Sequence, residues 1–169
     1  MIPLRPLAGV ILTSVLLTGY AATPAAASAQ APAALSSVQA ASRPGNGTLL
    51  YDRLSDGRGT VKIKNGTAKD AVVTLVRGTS KALSLYVRAR STASVKVVED
   101  GTYSVYFTSG HRFSTSKRRF AKSAVYQRFD RKLKFTTTSI SATIWTLTLN
   151  VVRGGNARTS GVNPKDFPA

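Results

Sequence analysis

Apolar and polar residues alternate with a period close to two along most of the chain from Thr48 onward. This period is typical of strands with one buried and one exposed face. In residues 60–64, for example, Val61 and Ile63 alternate with threonine and lysine. No stretch beyond residue 48 shows the 3.6-residue period of an amphipathic helix. The pattern therefore predicts an all-β domain.

The alternating segments are short and are separated by residues that favour turns. Eight of them are predicted strands: residues 60–64, 71–77, 83–89, 93–98, 102–108, 123–129, 132–138 and 144–151. Turns at such spacing are typical of a β-sandwich, and we predict a single antiparallel β-sandwich of about seven or eight short strands. Leu83, Leu85 and Val87 are predicted to share one face of their strand, and Tyr103, Val105 and Phe107 one face of theirs. Trp145, Leu147 and Leu149 are predicted to face the core.

The segment "VVEDGTYSVYF" contains Asp100 and Gly101 between two alternating apolar runs. An Asp-Gly pair in this position is a strong hairpin signal, because glycine tolerates positive φ and aspartate bonds nearby backbone. Glu99 and Asp100 are therefore predicted to belong to a turn rather than to a catalytic site.

The N-terminal residues predict export. Arg5 precedes an apolar run and small residues follow it, which is the pattern of a secretory signal peptide over residues 1–29, cleaved after Ala27 or Ala29. Residues 30–47 are rich in Ala, Ser and Pro and predict a flexible leader. Residues 48–169 form the predicted domain, with an irregular tail from about residue 153 in which Phe167 docks on the body. The expected location is extracellular, with association to the cell envelope as an option.

The segments "VKIKNGTAKDAVVTLV", "LYVRARSTASVKV", "DGTYSVYFTSG" and "YQRFD…FTTT…WTLTLNVVRGGNA" resemble a family of small secreted bacterial β-domains of unknown function. The chain departs from that family at "SGHRFSTSKRRF", where basic residues replace acidic or aromatic ones. The turn and its tyrosine are also loosely similar to transthyretin-like and carboxypeptidase-regulatory-like sandwich modules. The resemblance implies fold and export, and it implies no activity.

The charge of the chain is strongly unbalanced. The net charge is +17, and removal of the signal peptide takes away Arg5 alone and leaves +16. Such an excess favours polyanionic partners: anionic cell-wall polymer, anionic lipid surfaces, extracellular nucleic acid or acidic proteins. The densest basic run is the candidate polyanion-binding site, and its residues are Lys117, Arg118, Arg119, Lys122, Arg128, Arg131, Lys132 and Lys134.

Aromatic side chains are interleaved with this basic run. Phe113, Phe120, Tyr126 and Phe129 could stack on bases or sugar rings, or they could belong to the core. We favour the core interpretation for the aromatics. For the cations, a binding surface and a generic solvated face stay open as alternatives.

Two other function classes are open. A protein-interaction or inhibitor-type module would use the predicted loop from Ser109 to Arg119. A small secreted hydrolase would need His111, the chain's one histidine, or a pair of its seven carboxylates. With one histidine and no cysteine, a transition-metal site is not expected, and no phosphate-binding glycine motif predicts a cofactor. The favoured prediction is a non-enzymatic module that binds an anionic polymer.

Overall fold

The structure is a computed structural model that describes residues 43–150 and 158–168. The predicted signal peptide, residues 30–42 of the predicted leader and residues 151–157 of the tail lie outside the described residues. Within the described ranges no helix is long and apolar enough to cross a membrane.

The described chain is all-β, as the alternation predicts. Its strands are β1 (Leu49–Asp52), β2 (Gly59–Lys64), β3 (Asp70–Arg77), β4 (Ser80–Val87), β5 (Thr92–Val98), β6 (Gly101–Ser114), β7 (Arg119–Phe129), β8 (Leu133–Phe135), β9 (Ile144–Thr148) and β10 (Thr159–Gly161).

Two sheets pack against each other in a β-sandwich. The large sheet has the order β1-β4-β3-β6-β7-β10, and β8 pairs with the first residues of β6. The small sheet has the order β5-β2-β9. All pairs in the large sheet are antiparallel, but β9 runs parallel to β2, which corrects the fully antiparallel prediction.

The main core lies between the two sheets. The small sheet contributes Val61, Ile63, Val95 and Leu147, and the large sheet contributes the alternating side chains of β3, β4 and β6. Leu83, Leu85 and Val87 of β4 share one face as predicted, as do Tyr103, Val105 and Phe107 of β6, and the structure shows that both faces are buried in the main core. Because the chain has no cysteine, this apolar burial carries the fold without covalent help.

A second apolar cluster covers the other face of the large sheet. Tyr86, which alternates with the inward residues of β4, is fully buried there beside Val72, Phe113 and Phe120. Its ring centroid lies 5.2 Å from that of Phe113 and 6.5 Å from that of Phe120. The sequence placed Tyr86 on the face opposite Leu83, Leu85 and Val87, as the structure has it, but its complete burial there was not predicted.

The hairpin of β6 and β7 changes face to make this second cluster. Phe107 packs in the main core and Phe113 in the second cluster, although an even spacing puts two residues of a regular strand on one face. The register between the strands shifts after Ser109, and Arg112 and Ser123 have positive φ angles of 55° and 53°. Such a bulge re-aims the residues beyond it.

Several boundaries differ from the prediction. The described chain forms ten strands, two more than the eight predicted, since β1 and β10 lie where no strand was predicted. The strand expected over residues 132–138 is reduced to Leu133–Phe135. β10 lies in the tail that was expected to be irregular. Trp145 is half-buried at the edge of the core, where its indole N–H donates to the carbonyl of Lys134 at 2.9 Å.

Residues 43–47, assigned to the leader, are bound to the domain. The Asn46 side chain donates to the carbonyl of Thr92 at 2.9 Å and accepts the N–H of Arg88 at 3.0 Å. The N–H of Gly47 donates to the carbonyl of Tyr86 at 2.9 Å. Residues 43–47 therefore belong to the domain and not to the leader.

The second cluster gives a stability prediction. Phe113→Ala removes a buried ring between Tyr86 and Phe120, and the free energy of unfolding should fall by about 3–5 kcal/mol, the usual cost of such truncations. Val125→Ala on the same hairpin is the control, since Val125 is 43% exposed and its loss should cost less than about 1 kcal/mol. Urea unfolding of both variants makes the comparison. Equal costs would show that the cluster contributes no specific packing.

Candidate functional site

The acidic turn has a structural role, as the hairpin signal predicts. Gly101 has a φ of 148° and begins β6. The Asp100 carboxylate accepts the N–H and the hydroxyl of Thr137 at 2.9 and 2.8 Å. Glu99 accepts the N–H and hydroxyl of Ser55 at 3.0 and 3.1 Å. These carboxylates hold loops together at one end of the sandwich.

The opposite end of the sandwich is strongly basic. There β2 and β4 end, β3 and β5 begin, and the bulge of the β6–β7 hairpin lies alongside, since Asp70 pairs with Gly110. We call this surface the basic end and define it by Arg43, Lys69, Arg88, Arg90, Arg112 and Lys122. A hollow at its centre is lined by Arg43, Asp70, His111, Arg112 and Phe113 together with Ala68 and Ala89.

Asp70 is the one described carboxylate at the basic end, and it is fully engaged. Its side chain accepts two hydrogen bonds from the Arg43 guanidinium, one of them from Nε at 2.7 Å. It also accepts the Tyr86 hydroxyl at 2.5 Å and the N–H of Ala89 at 2.8 Å. The bidentate pair with Arg43 attaches the segment before β1 to the start of β3.

This network shifts the titration of its members. Burial raises the pKa of Asp70, but the hydrogen bonds from Arg43, Tyr86 and Ala89 outweigh burial and hold it below its ordinary value of 3.8. Burial, with the hydrogen bond to Asp70, raises the pKa of Tyr86 to about 12. Asp70 is thus ionised at neutral pH and is occupied by its own donors.

The other cations of the basic end make no carboxylate contact within the described residues. Lys69 donates to the carbonyl of Ser123 at 3.2 Å, and Nε of Arg88 donates to the carbonyl of Pro44 at 2.9 Å. The ion pair at the basic end joins Arg43 to Asp70, and Arg77 pairs with Glu99 at the opposite end. Carbonyl oxygens orient these side chains without neutralising them, so their charge is left for a ligand.

Arginine occupies three positions with left-handed backbone. Arg90, Arg112 and Arg118 have φ angles of 56°, 55° and 48°. Glycine or asparagine adopts this conformation at lower cost, and a larger side chain there costs about 1 kcal/mol or more. Two of the three, Arg90 and Arg112, lie at the basic end, so the positions with this unfavourable backbone conformation there carry positive charges.

The predicted basic run is distributed along the hairpin and beyond it. Lys117 and Arg118 lie in the turn between β6 and β7, and Lys122 faces His111 across the strands. Arg128 lies six residues further along β7, about 20 Å away in an extended strand. All eight residues of the run are exposed: Lys117, Arg118, Arg119, Lys122, Arg128, Arg131, Lys132 and Lys134. Lys122 is the member that lies at the basic end.

The interleaved aromatics pack as core residues, as we favoured. Phe120 and Phe129 are buried in the two apolar clusters. Tyr126 is half-buried and contacts Phe167, with ring centroids 5.1 Å apart, and Phe167 also contacts Tyr106 at 6.1 Å. The predicted docking of Phe167 on the body is confirmed.

The prediction of a loop from Ser109 to Arg119 is wrong in its extent. β6 continues to Ser114 and β7 starts at Arg119, so only residues 115–118 form a turn. His111 is therefore an exposed strand residue opposite Lys122. The hollow beside it is lined by no Ser, Thr or Cys side chain, and its one carboxylate, Asp70, is occupied.

Sequence reasoning missed most of the basic end. Arg43, Lys69, Arg88, Arg90 and Arg112 come from four separate segments and form no dense run. The left-handed backbone at Arg90 and Arg112 gave no sequence signal either, because such positions are usually marked by glycine or asparagine. The strand pairing that brings the segments together is non-local and leaves no short pattern in the sequence.

Comparison of this chain with protein-family models, with curated proteins and with solved structures gives no match.

The Asp70 network predicts a loss of stability in acid. A carboxyl whose folded pKa is depressed stabilises the fold above its unfolded value, and that contribution disappears as pH falls through the folded pKa. Urea unfolding between pH 7 and pH 2 should therefore show stability falling below about pH 4. Asp70→Asn should lower stability at pH 7 by about 1–3 kcal/mol and flatten this decline. An unchanged pH profile in Asp70→Asn would assign the acid sensitivity to other carboxylates.

Proposed function

We propose that the domain binds an anionic polymer of the extracellular space or the cell envelope, and that the basic end is the contact surface. The observation that carries the proposal is the set of cations at one end of the sandwich, where Arg43 and Arg112 line a hollow whose one carboxylate, Asp70, is occupied by Arg43 and Tyr86. Polyanions bind such surfaces by releasing their condensed counterions. The proposed function is binding, without catalysis.

The chemistry of the side chains supports a polymer with phosphate or carboxylate groups. Guanidinium groups donate in a planar fork that matches both anions, and the exposed arginines Arg90 and Arg112 carry this fork at the basic end. Lys69 and Lys122 add point charges beside them. Repeated anionic groups along a chain would engage several of these cations at once, as an isolated ion does not.

An anionic cell-envelope polymer is the favoured partner. The predicted export of the chain places it where such polymers occur, and the resemblance to small secreted bacterial β-domains is consistent with this setting. Extracellular nucleic acid and anionic lipid surfaces offer the same phosphate chemistry and are alternative outcomes of the binding test.

Binding to purified anionic cell-wall polymer, titrated with salt, tests this proposal. The variant Arg90→Gly/Arg112→Gly/Lys122→Ser removes three cations, and glycine suits the left-handed backbone of the two arginines. The variant should no longer be retained by the polymer at physiological salt. The magnitude of the slope of log affinity against log salt concentration should decrease by roughly two to three.

Two matched variants decide which cations matter. Lys62→Ser/Lys96→Ser/Lys165→Ser removes the same charge from exposed positions elsewhere and should retain most binding. Lys117→Ser/Arg118→Ser/Arg119→Ser tests the hairpin turn, which the protein-interaction alternative would use. Equal losses of binding in all three variants would mean that binding depends on the total charge of the domain and not on the basic end. Retention by anionic vesicles or DNA and not by wall polymer would reassign the partner.

A further inference from the structure

The outer face of the small sheet is a second surface with unpaired positive charge. The core residues of β2, β5 and β9 alternate along each strand with side chains that point to solvent. We call this solvent-facing surface the lysine face and define it by Lys62 and Lys64 of β2, Lys96 and Val97 of β5, and Ile144 and Thr146 of β9.

The lysines of this face have no charged partner in the domain. Lys62 lies between Ser94 of β5 and Thr146 of β9, and Lys64 has a threonine on each side. The ammonium groups of Lys62, Lys64 and Lys96 make no hydrogen bond or ion pair within the described residues. No outward residue of the three strands carries a carboxylate, whereas a face that serves only solubility usually mixes both signs.

Apolar side chains border the lysine face where β9 begins. Ile144 is 69% exposed and Val97 is 38% exposed. Opposite Thr60, β5 has one residue more than β2, and this bulge leaves Lys96 and Val97 exposed together. Ile140, in the turn before β9, is 93% exposed and extends the apolar border. Exposed apolar groups beside unpaired cations indicate an interaction surface rather than a solvated face.

We propose that the lysine face docks on an anionic lipid surface. The lysines contact headgroup phosphates, and Ile144 and Val97 enter the boundary between headgroups and acyl chains. Lysine suits this contact, because its flexible stem carries the ammonium to a headgroup while its carbons stay in apolar surroundings. Exposed isoleucine and valine gain free energy in such a boundary, which a hydrated polymer does not offer.

Charge excludes one other occupant and orients the domain. A second copy of the chain would bring the same excess of positive charge and would be repelled. Glu99 and Asp100 follow β5, and their carboxylates bind Ser55 and Thr137 of the adjoining loops. An anionic surface repels these loops, so the domain docks on the strands and not on the loop end. This contact does not rest on polymer binding by the basic end.

Co-sedimentation with lipid vesicles tests the proposal. The purified protein should bind vesicles of equimolar phosphatidylglycerol and phosphatidylcholine and bind pure phosphatidylcholine far more weakly. Lys62→Ser/Lys96→Ser should weaken binding to the anionic vesicles roughly thirtyfold, since one basic residue at such a surface contributes about fivefold. Failure to bind the anionic vesicles would overturn the proposal.

A matched variant controls for total charge. Lys117→Ser/Arg119→Ser removes the same charge from the turn of the β6–β7 hairpin, and affinity should stay within about threefold because distant charges are screened. All variants keep the same N-terminal residues, so a difference between them reports the substituted surface. Equal weakening by the two double variants would assign vesicle binding to total charge and overturn the proposal.

A fluorescent label shows which face meets the lipid. The chain has no cysteine, so Ile144→Cys and Val125→Cys each accept a single environment-sensitive fluorophore at an exposed strand position. Emission from the label at position 144 should shift to the blue on anionic vesicles, and emission from position 125 on the large sheet should not. Vesicle binding without a shift at position 144, or with equal shifts at both positions, would overturn the docked orientation.

Polymer and vesicle assays separate the lysine face from the basic end. Lys62→Ser/Lys96→Ser should keep its retention by wall polymer while it loses vesicles. Loss of polymer binding by the unmodified protein, with vesicle binding still dependent on this lysine pair, would reject the basic end alone. Vesicle binding that is kept in Lys62→Ser/Lys96→Ser and lost in Arg90→Gly/Arg112→Gly/Lys122→Ser would reject the lysine face.

Discussion

The carboxylate of Asp70 holds together parts of the chain that the hydrophobic core alone does not connect. It receives Arg43 from the segment before β1, the hydroxyl of Tyr86 from β4 and the N–H of Ala89 from the following loop. Tyr86 is also the centre of the second apolar cluster, so its polar end and its ring are fixed by different partners. A buried carboxylate is tolerated only with such complete pairing.

A protein with so few acids uses them structurally. Asp70, Glu99 and Asp100 bridge segments distant in sequence, and Asp130 accepts the hydroxyl of Ser160 at 2.5 Å, which ties the tail strand to the end of β7. Ion pairs of the described chain join Arg43 to Asp70 and Arg77 to Glu99. Most of the other described cations lie exposed at the surface, where self-repulsion opposes folding and long-range attraction favours a polyanion. The same imbalance that costs stability supplies the driving force for the proposed binding.

The local features of the fold could be predicted from the sequence, and the non-local ones could not. Alternation indicated the strands, and Asp100-Gly101 indicated the hairpin, because both signals reside in a few consecutive residues. The parallel pairing of β9 with β2 brings together residues about 85 positions apart, from Thr60 to Ile144, and no short pattern encodes it. The change of face at Arg112 was also invisible, since it depends on a backbone angle that arginine rarely adopts.

The candidate sites follow the same division. A dense run such as "SKRRFAKS" is conspicuous in sequence, but an extended strand spaces its members along a line. The basic end forms because strand pairing gathers single cations from several loops. It depends on the bulge of the β6–β7 hairpin, which places Arg112 beside the hollow and Lys122 opposite His111. Close packing of Gly110 fixes that geometry, because a Cβ at this position would lie 2.6 Å from Cβ of Phe120. The hairpin is thus the element in which the packing of the fold and the arrangement of its charges are coupled.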